Sequence, residues 1–359
     1  ATKKAIQFLL KQQDWRAHIK FVIQSNDITC KNVLSVCLST MKYLSPKEPP
    51  QGWLEYTYNY IRKGLFHDSV NIKIESMYER AVLFYLEVLR VFFFYEKNIT
   101  PFQRTRDFQF ATEEEIAESH YAQEYRRFRS CIKNQYFYEL MRIGRELMPF
   151  DSLAHIAGVH YVAMHIARQL VKADVPIDLG LISGAAAGHD IGKYGCKDEE
   201  VKRIPYLHYY YTDLWCKMNL LPSIGHIAAN HSTWDLELED LPIESLVLIY
   251  SDFRVKAKGW KNGKEIMGFF SLEDSFQVIL DKLDNVDSAK ENRYRHVYAK
   301  LKDFEKYMIH LGVNVDFQTD QLTPKPKKDK AILNMAETVE ALKYMAIEHN
   351  ILLMHRLSH

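Results

Sequence analysis

The chain has 359 residues, 47% of them hydrophobic and 13% aromatic, so it exceeds one ordinary domain and has apolar surface enough for more than one core. A formal net charge of +1 provides no polyanion-binding face, and nucleic acid is not indicated as a partner. The longest apolar run, 82–95, is too short to span a bilayer and carries Glu87 and Arg90, so no membrane partner is expected; the five cysteines form no C-x-x-C pair and read as reduced thiols of a cytoplasmic protein.

Residues 1–148 read as a helical N-terminal domain. Apolar residues recur with helical period over 5–23, 31–43, 54–62, 70–95 and 113–131, with Thr112 and Glu115 as a capping box for the last. Short helices in succession, broken by the proline-rich stretch 45–50, are solenoid-like but share no repeating consensus. Such a region serves either as a scaffold for a protein partner or as a packing shell for the second domain. The aromatic run Phe92 to Tyr95 reads as core.

The second domain, 149–318, carries the residues that point to chemistry. His155 is followed by Val159, Ala163, Ala167 and Leu170, which share one helical stripe, so His155 starts a core-facing row. His160 competes for the same role, but it points about 140° away and counting from it meets Arg168 and Lys172. His165 reads as a packing histidine. The small-residue helix Ala185-Ala186-Ala187-Gly188 then runs into His189-Asp190, and Gly192 is expected to leave space beside them. His208 lies in an aromatic helix start. His231, rather than His226, stands at a helix end where Ser232 and Thr233 open a loop. Asp252 is one acid after an apolar run, and an unpaired carboxylate there would be expensive. Pairing with Arg254 or Lys256 reads as awkward, and a metal as the more economical partner.

Past Asp252, residues 259–264 read as a turn-rich substrate loop, Ser271 and Asp274 cap a helix, and 292–310 forms a long amphipathic one. A charged linker spans 319–330. Residues 331–359 resume helical periodicity as a C-terminal segment, and a chain that opens without Met and ends mid-pattern is expected to belong to a longer protein.

His155, His189-Asp190 and Asp252, in that order and on helices, resemble the H…HD…D signature of the HD-domain metal-dependent phosphohydrolases, over roughly residues 150–310. The resemblance implies an all-α HD-domain helical core flanked by helical segments, holding one or two divalent ions. His208 and His231 are similar to the extra histidines of its two-metal branches. In a dinuclear site His155, His189 and Asp252 would bind one ion, His208 and His231 the other, and Asp190 would bridge. Imidazole with carboxylate suits iron, manganese, nickel or zinc, and magnesium remains open. Asp190, Lys193 and Arg254 are then the expected catalytic residues, with the two cations on phosphate. The implied activity is hydrolysis of a phosphomonoester or phosphodiester, of nucleotide type, with a metal-activated hydroxide as nucleophile. No Gly-Tyr-Pro follows the doublet, which disfavours a cyclic dinucleotide. The rivals are a nucleotide sensor with little turnover and a di-iron oxygenase of the same fold.

Overall fold

A computed structural model describes residues 13–25, 29–67, 70–95, 101–103, 108–231, 241–282 and 288–317. The fold is all-α, with one two-stranded hairpin among the described residues. The expected linker and C-terminal segment lie outside them, as do residues 5–12 of the first expected helix and the loop at Ser232 and Thr233.

The first helices are α1 (Gln13–Gln24), α2 (Cys30–Leu44), α3 (Trp53–Phe66) and α4 (Ser76–Tyr95). Phe92 and Phe93 on α4 are fully buried, as core residues should be, whereas Tyr95, expected in the core with them, is exposed at the end of the helix. The helix expected over 113–131 begins only at Ala122, as α5 (Ala122–Asn134), followed by α6 (Phe137–Leu147). Thr112 and Glu115 do make the reciprocal capping bonds. Arg168 also grips the Glu115 carboxylate at 2.6 and 3.0 Å, and residues 113–118 remain a turn.

Two capping aspartates start the helices of the second half. In α7 (Ser152–Lys172) the Asp151 carboxylate caps the first turn by accepting from the Ala154 N–H at 2.9 Å, and Val159, Ala163, Ala167 and Leu170 are buried as one row. In α8 (Leu179–Gly188) Asp178 does the same for Leu181, and every residue is buried. Short 3-10 helices at Ile191–Tyr194 and Asp198–Arg203 lead to α9 (Ile204–Met218), α10 (Pro222–Ala229) and α11 (Ile243–Phe253).

The expected substrate loop at 259–264 is instead part of an antiparallel hairpin, β1 (Val255–Lys261) and β2 (Lys264–Phe269). Asn262 and Gly263 both take positive φ, 53° and 73°, as a type I′ turn requires. After it, Ser271 caps α12 (Leu272–Lys282) by accepting from the Asp274 N–H, and α13 (Ser288–His310) closes the described helices.

One hydrophobic core runs from Ile19 to Phe317. Across it, Arg62 on α3 donates to the carbonyls of Tyr194 and Cys196, each at 2.8 Å, and Phe137 on α6 stacks on Trp215 of α9. The N-terminal helices thus pack against the histidine-bearing ones. Each fully buried large apolar side chain adds about 1.5–3 kcal/mol.

Candidate metal centre

Six side chains from five places in the chain converge where α7, α8, α9, α10 and α11 meet. His155 sits in the first turn of α7, His189 and Asp190 directly follow α8, His208 is in the second turn of α9, His231 follows α10, and Asp252 is in the last turn of α11. His155 Nε2 lies 2.9 Å from Asp252 Oδ1, 3.3 Å from Asp190 Oδ2 and 3.3 Å from His189 Nε2. On the other side, Asp190 Oδ1 lies 3.5 Å from His208 Nε2 and 3.8 Å from His231 Nε2. The Asp190 carboxylate therefore stands between two imidazole groups, one on each oxygen.

The ring nitrogens turned away from the cluster fix its chemistry. His189 Nδ1 donates to the Ala186 carbonyl at 2.8 Å, His208 Nδ1 to Ile204 at 2.8 Å and His231 Nδ1 to Ala228 at 2.6 Å. A carbonyl oxygen only accepts, so each of these rings carries its proton on Nδ1 and points a lone pair inward from Nε2. Burial pushes the His208 and His231 pKa down to about 4, which keeps both rings neutral near pH 7. Their two Nε2 atoms are nevertheless only 3.5 Å apart, with Asp190 Oδ1 as the third member. Three acceptors aimed at one point suit a cation between them, and this group, like that of His155, His189 and Asp190, could hold a metal ion.

Burial alone would raise the two aspartates. Instead Lys193, whose Nζ is 2.5 Å from Asp190 Oδ2, and then the imidazoles hold Asp190 well below the carboxylate range. Lys256 and His155 do the same for Asp252. Both acids are ionised and ligand-ready at neutral pH.

Other expected residues lie elsewhere. His160 is fully buried between the rings of Phe108 and Phe110, bonded to Ser183 Oγ at 3.1 Å. His165 stacks on Tyr161, and His226 meets Asn230 on the exposed side of α10. Cys196 is buried with its thiol pushed up to about 11 by that burial. Arg254 is not brought to the cluster. It is buried, with its guanidinium donating to the carbonyls of Phe270 and Val315 and to the Tyr250 hydroxyl, 3.7 Å from Glu305. Gly192 leaves no space for a ligand either: a Cβ there would lie 1.9 Å from the His208 carbonyl oxygen and 2.5 Å from the Thr212 nitrogen. The gap admits the backbone of α9, which brings His208 to Asp190.

Asp252 does pair with Lys256, against the expectation that this pairing is awkward: Lys256 Nζ is 4.0 Å from Asp252 Oδ2, on the i,i+4 spacing that favours it. One residue at the site escaped the sequence reading. The Tyr209 ring lies against His208, centroids 3.8 Å apart, and no sequence signal marks it. Among the described residues no helix is long and apolar enough to cross a membrane. Comparison with family descriptions, with curated proteins and with solved structures gives no match.

Proposed function

We propose that this chain is a metal-dependent phosphohydrolase that cleaves a phosphomonoester or phosphodiester of nucleotide type at the His/Asp cluster. The observation that carries the reading is the Asp190 carboxylate shared between two groups of inward-facing imidazole nitrogens, three of them with their tautomer set by a backbone carbonyl. The order His155, His189-Asp190, Asp252 on an all-α fold supports the HD-domain resemblance. An oxygen and nitrogen donor set without thiolate suits iron, manganese, nickel, zinc or magnesium.

Divalent ions at this centre would supply Lewis acidity, lowering the pKa of water and neutralising charge on phosphoryl oxygens. The chain supplies the rest. Ionised Asp190 and Asp252 with neutral His189, His208 and His231, and with His155 beside both acids, make a preset cage. Lys193, its side chain about a third exposed at 31%, sits where it can meet the phosphate of an incoming ester. Burial of His189, His231 and Asp190 keeps bulk water from competing for the donors.

The test joins elemental analysis of the purified chain to a phosphate-release screen over nucleotides, with His189→Ala and Asp190→Ala as controls. Metal together with phosphate release, both lost in the folded variants, is the expected result. Tight nucleotide binding without turnover would make the chain a sensor. Iron with oxygen-dependent turnover would make it an oxygenase.

A further inference from the structure

The proposed phosphohydrolase leaves its second phosphate-binding cation without an owner, because Arg254 is committed to Phe270, Tyr250 and Val315. The hairpin that follows α11 carries four lysines, Lys256, Lys258, Lys261 and Lys264, and the acid Glu265. It is tied down close to the centre. Lys264 donates to the carbonyls of Glu146 and Met148 at 3.1 and 2.7 Å, and the Glu265 N–H donates to the Pro149 carbonyl at 3.0 Å. Glu265 on β2 lies within electrostatic reach of Lys193.

Lys256 is the hairpin lysine nearest the ligands. Its Nζ donates to the Asp252 main-chain carbonyl at 2.9 Å and stands 4.0 Å from Asp252 Oδ2, whereas Asp252 Oδ1 faces His155. Lys193 approaches the neighbouring carboxylate, Asp190, from the 3-10 helix after α8. Two ammonium groups from two different elements thus flank the aspartate pair, Lys193 on the Asp190 oxygen that also faces His155 and Lys256 on the Asp252 oxygen turned away from it. A tetrahedral phosphate with charge on several oxygens suits such an arrangement, since each ammonium meets one oxygen without the planar fork of an arginine.

Resting on the phosphohydrolase reading, we propose that Lys256 is a phosphate-binding residue of this centre, working with Lys193 to grip the phosphoryl oxygens of the substrate from two sides. The alternative role is structural, a lysine that only caps the last carbonyls of α11 and steadies Asp252.

Inorganic phosphate is the probe, titrated calorimetrically into the metal-loaded full chain, with metal content measured for every variant. Lys256→Gln should keep its metal and weaken phosphate binding about tenfold or more, the loss of one charge-assisted bond. Lys256→Arg should recover most of that loss, and Lys261→Gln, at the exposed end of the same hairpin, should leave binding unchanged. Phosphate should also protect Lys256 of the wild-type chain from amine acylation, read by mass spectrometry, a measurement independent of how the variants fold. Lys256→Gln that binds phosphate as tightly as wild type, or that loses metal in parallel, overturns the proposal, as does acylation of Lys256 indifferent to phosphate. Wild-type chain that takes up metal and binds no phosphate removes the phosphohydrolase reading and this inference with it.

Discussion

Gly192→Ala tests whether the centre is assembled by the contact between the segment after α8 and α9. A Cβ at 192 would lie 1.9 Å from the His208 carbonyl oxygen, while ordinary contact begins near 3.4 Å, so α9 must retreat by about 1.5 Å. Both sides are backbone and cannot swing aside. The Gly192 N–H to Thr212 bond at 3.0 Å and the Thr212 hydroxyl to His189 carbonyl bond at 3.2 Å would be stretched together. Overpacking at the upper end of about 1–3 kcal/mol, plus about 1 kcal/mol for each weakened bond, gives a loss of roughly 3–5 kcal/mol. At about 2.1 cal/mol/K of unfolding entropy per residue, 359 residues give about 1.3 °C per kcal/mol, so melting should fall by roughly 4–7 °C. The same retreat carries His208 away from Asp190 Oδ1, now 3.5 Å off, and should lower metal content. Gly64→Ala is the control: nothing lies within 4 Å of its Cβ and it is helical, in the last turn of α3, so it should gain about 0.4–1 kcal/mol. Scanning calorimetry and elemental analysis read both variants. Gly192→Ala melting within 2 °C of wild type, roughly 1.5 kcal/mol or less by the same conversion, with full metal content would refute this account of the packing.

Further outcomes separate structural from ligating roles. Burial beside the Asp178 carboxylate pushes Glu244 up to about 7 from an unfolded value of 4.5, so its contribution is fully present below pH 4.5 and is lost, by up to roughly 3 kcal/mol, as pH rises past 7. Glu244→Gln keeps an acceptor for the Asp178 N–H, so it should match wild type at pH 4.5 and melt higher at pH 8; an equal difference at both pH values would contradict the assignment. His155→Ala should lose metal and keep its fold, whereas His160→Ala, truncating a fully buried ring, should lose about 2–4 kcal/mol and keep its metal; the reverse pattern would exchange their roles. Arg254→Met should lower stability by about 3 kcal/mol or more, by stranding the partners of a buried guanidinium, with metal content intact; loss of metal would return Arg254 to the site.

What could be read from the chain was what a rigid helix carries forward. The stripe from His155 through Leu170 needs only the helical angle, and α7 supplies 21 residues over which it holds. That angle loses its meaning where a helix stops. Arg254 sits at the C-cap of α11, one residue before the chain enters β1, and adjacency to Asp252 no longer implies a shared direction. The hairpin itself was signalled by Asn262-Gly263, a pair that favours the two-residue turn, between runs too rich in lysine to look like strands. Gly192 misled for another reason: whether a missing side chain makes room for a ligand or for another backbone is decided by what packs there, a long-range fact.

One part of the centre is local after all. His189 and His231 each stand just beyond a helix end, and each folds its Nδ1–H back onto the carbonyl three residues earlier, Ala186 and Ala228. The last turn of a helix leaves carbonyls without helical partners, and an imidazole placed there satisfies one while fixing its own tautomer. The sequence repeats the device, Ala186-Ala187-Gly188-His189 and Ala228-Ala229-Asn230-His231, at the ends of α8 and α10. Helix ends thereby orient two of the donors before tertiary packing brings them together, and the packing has only to set the distance between two prepared lone pairs and the Asp190 carboxylate.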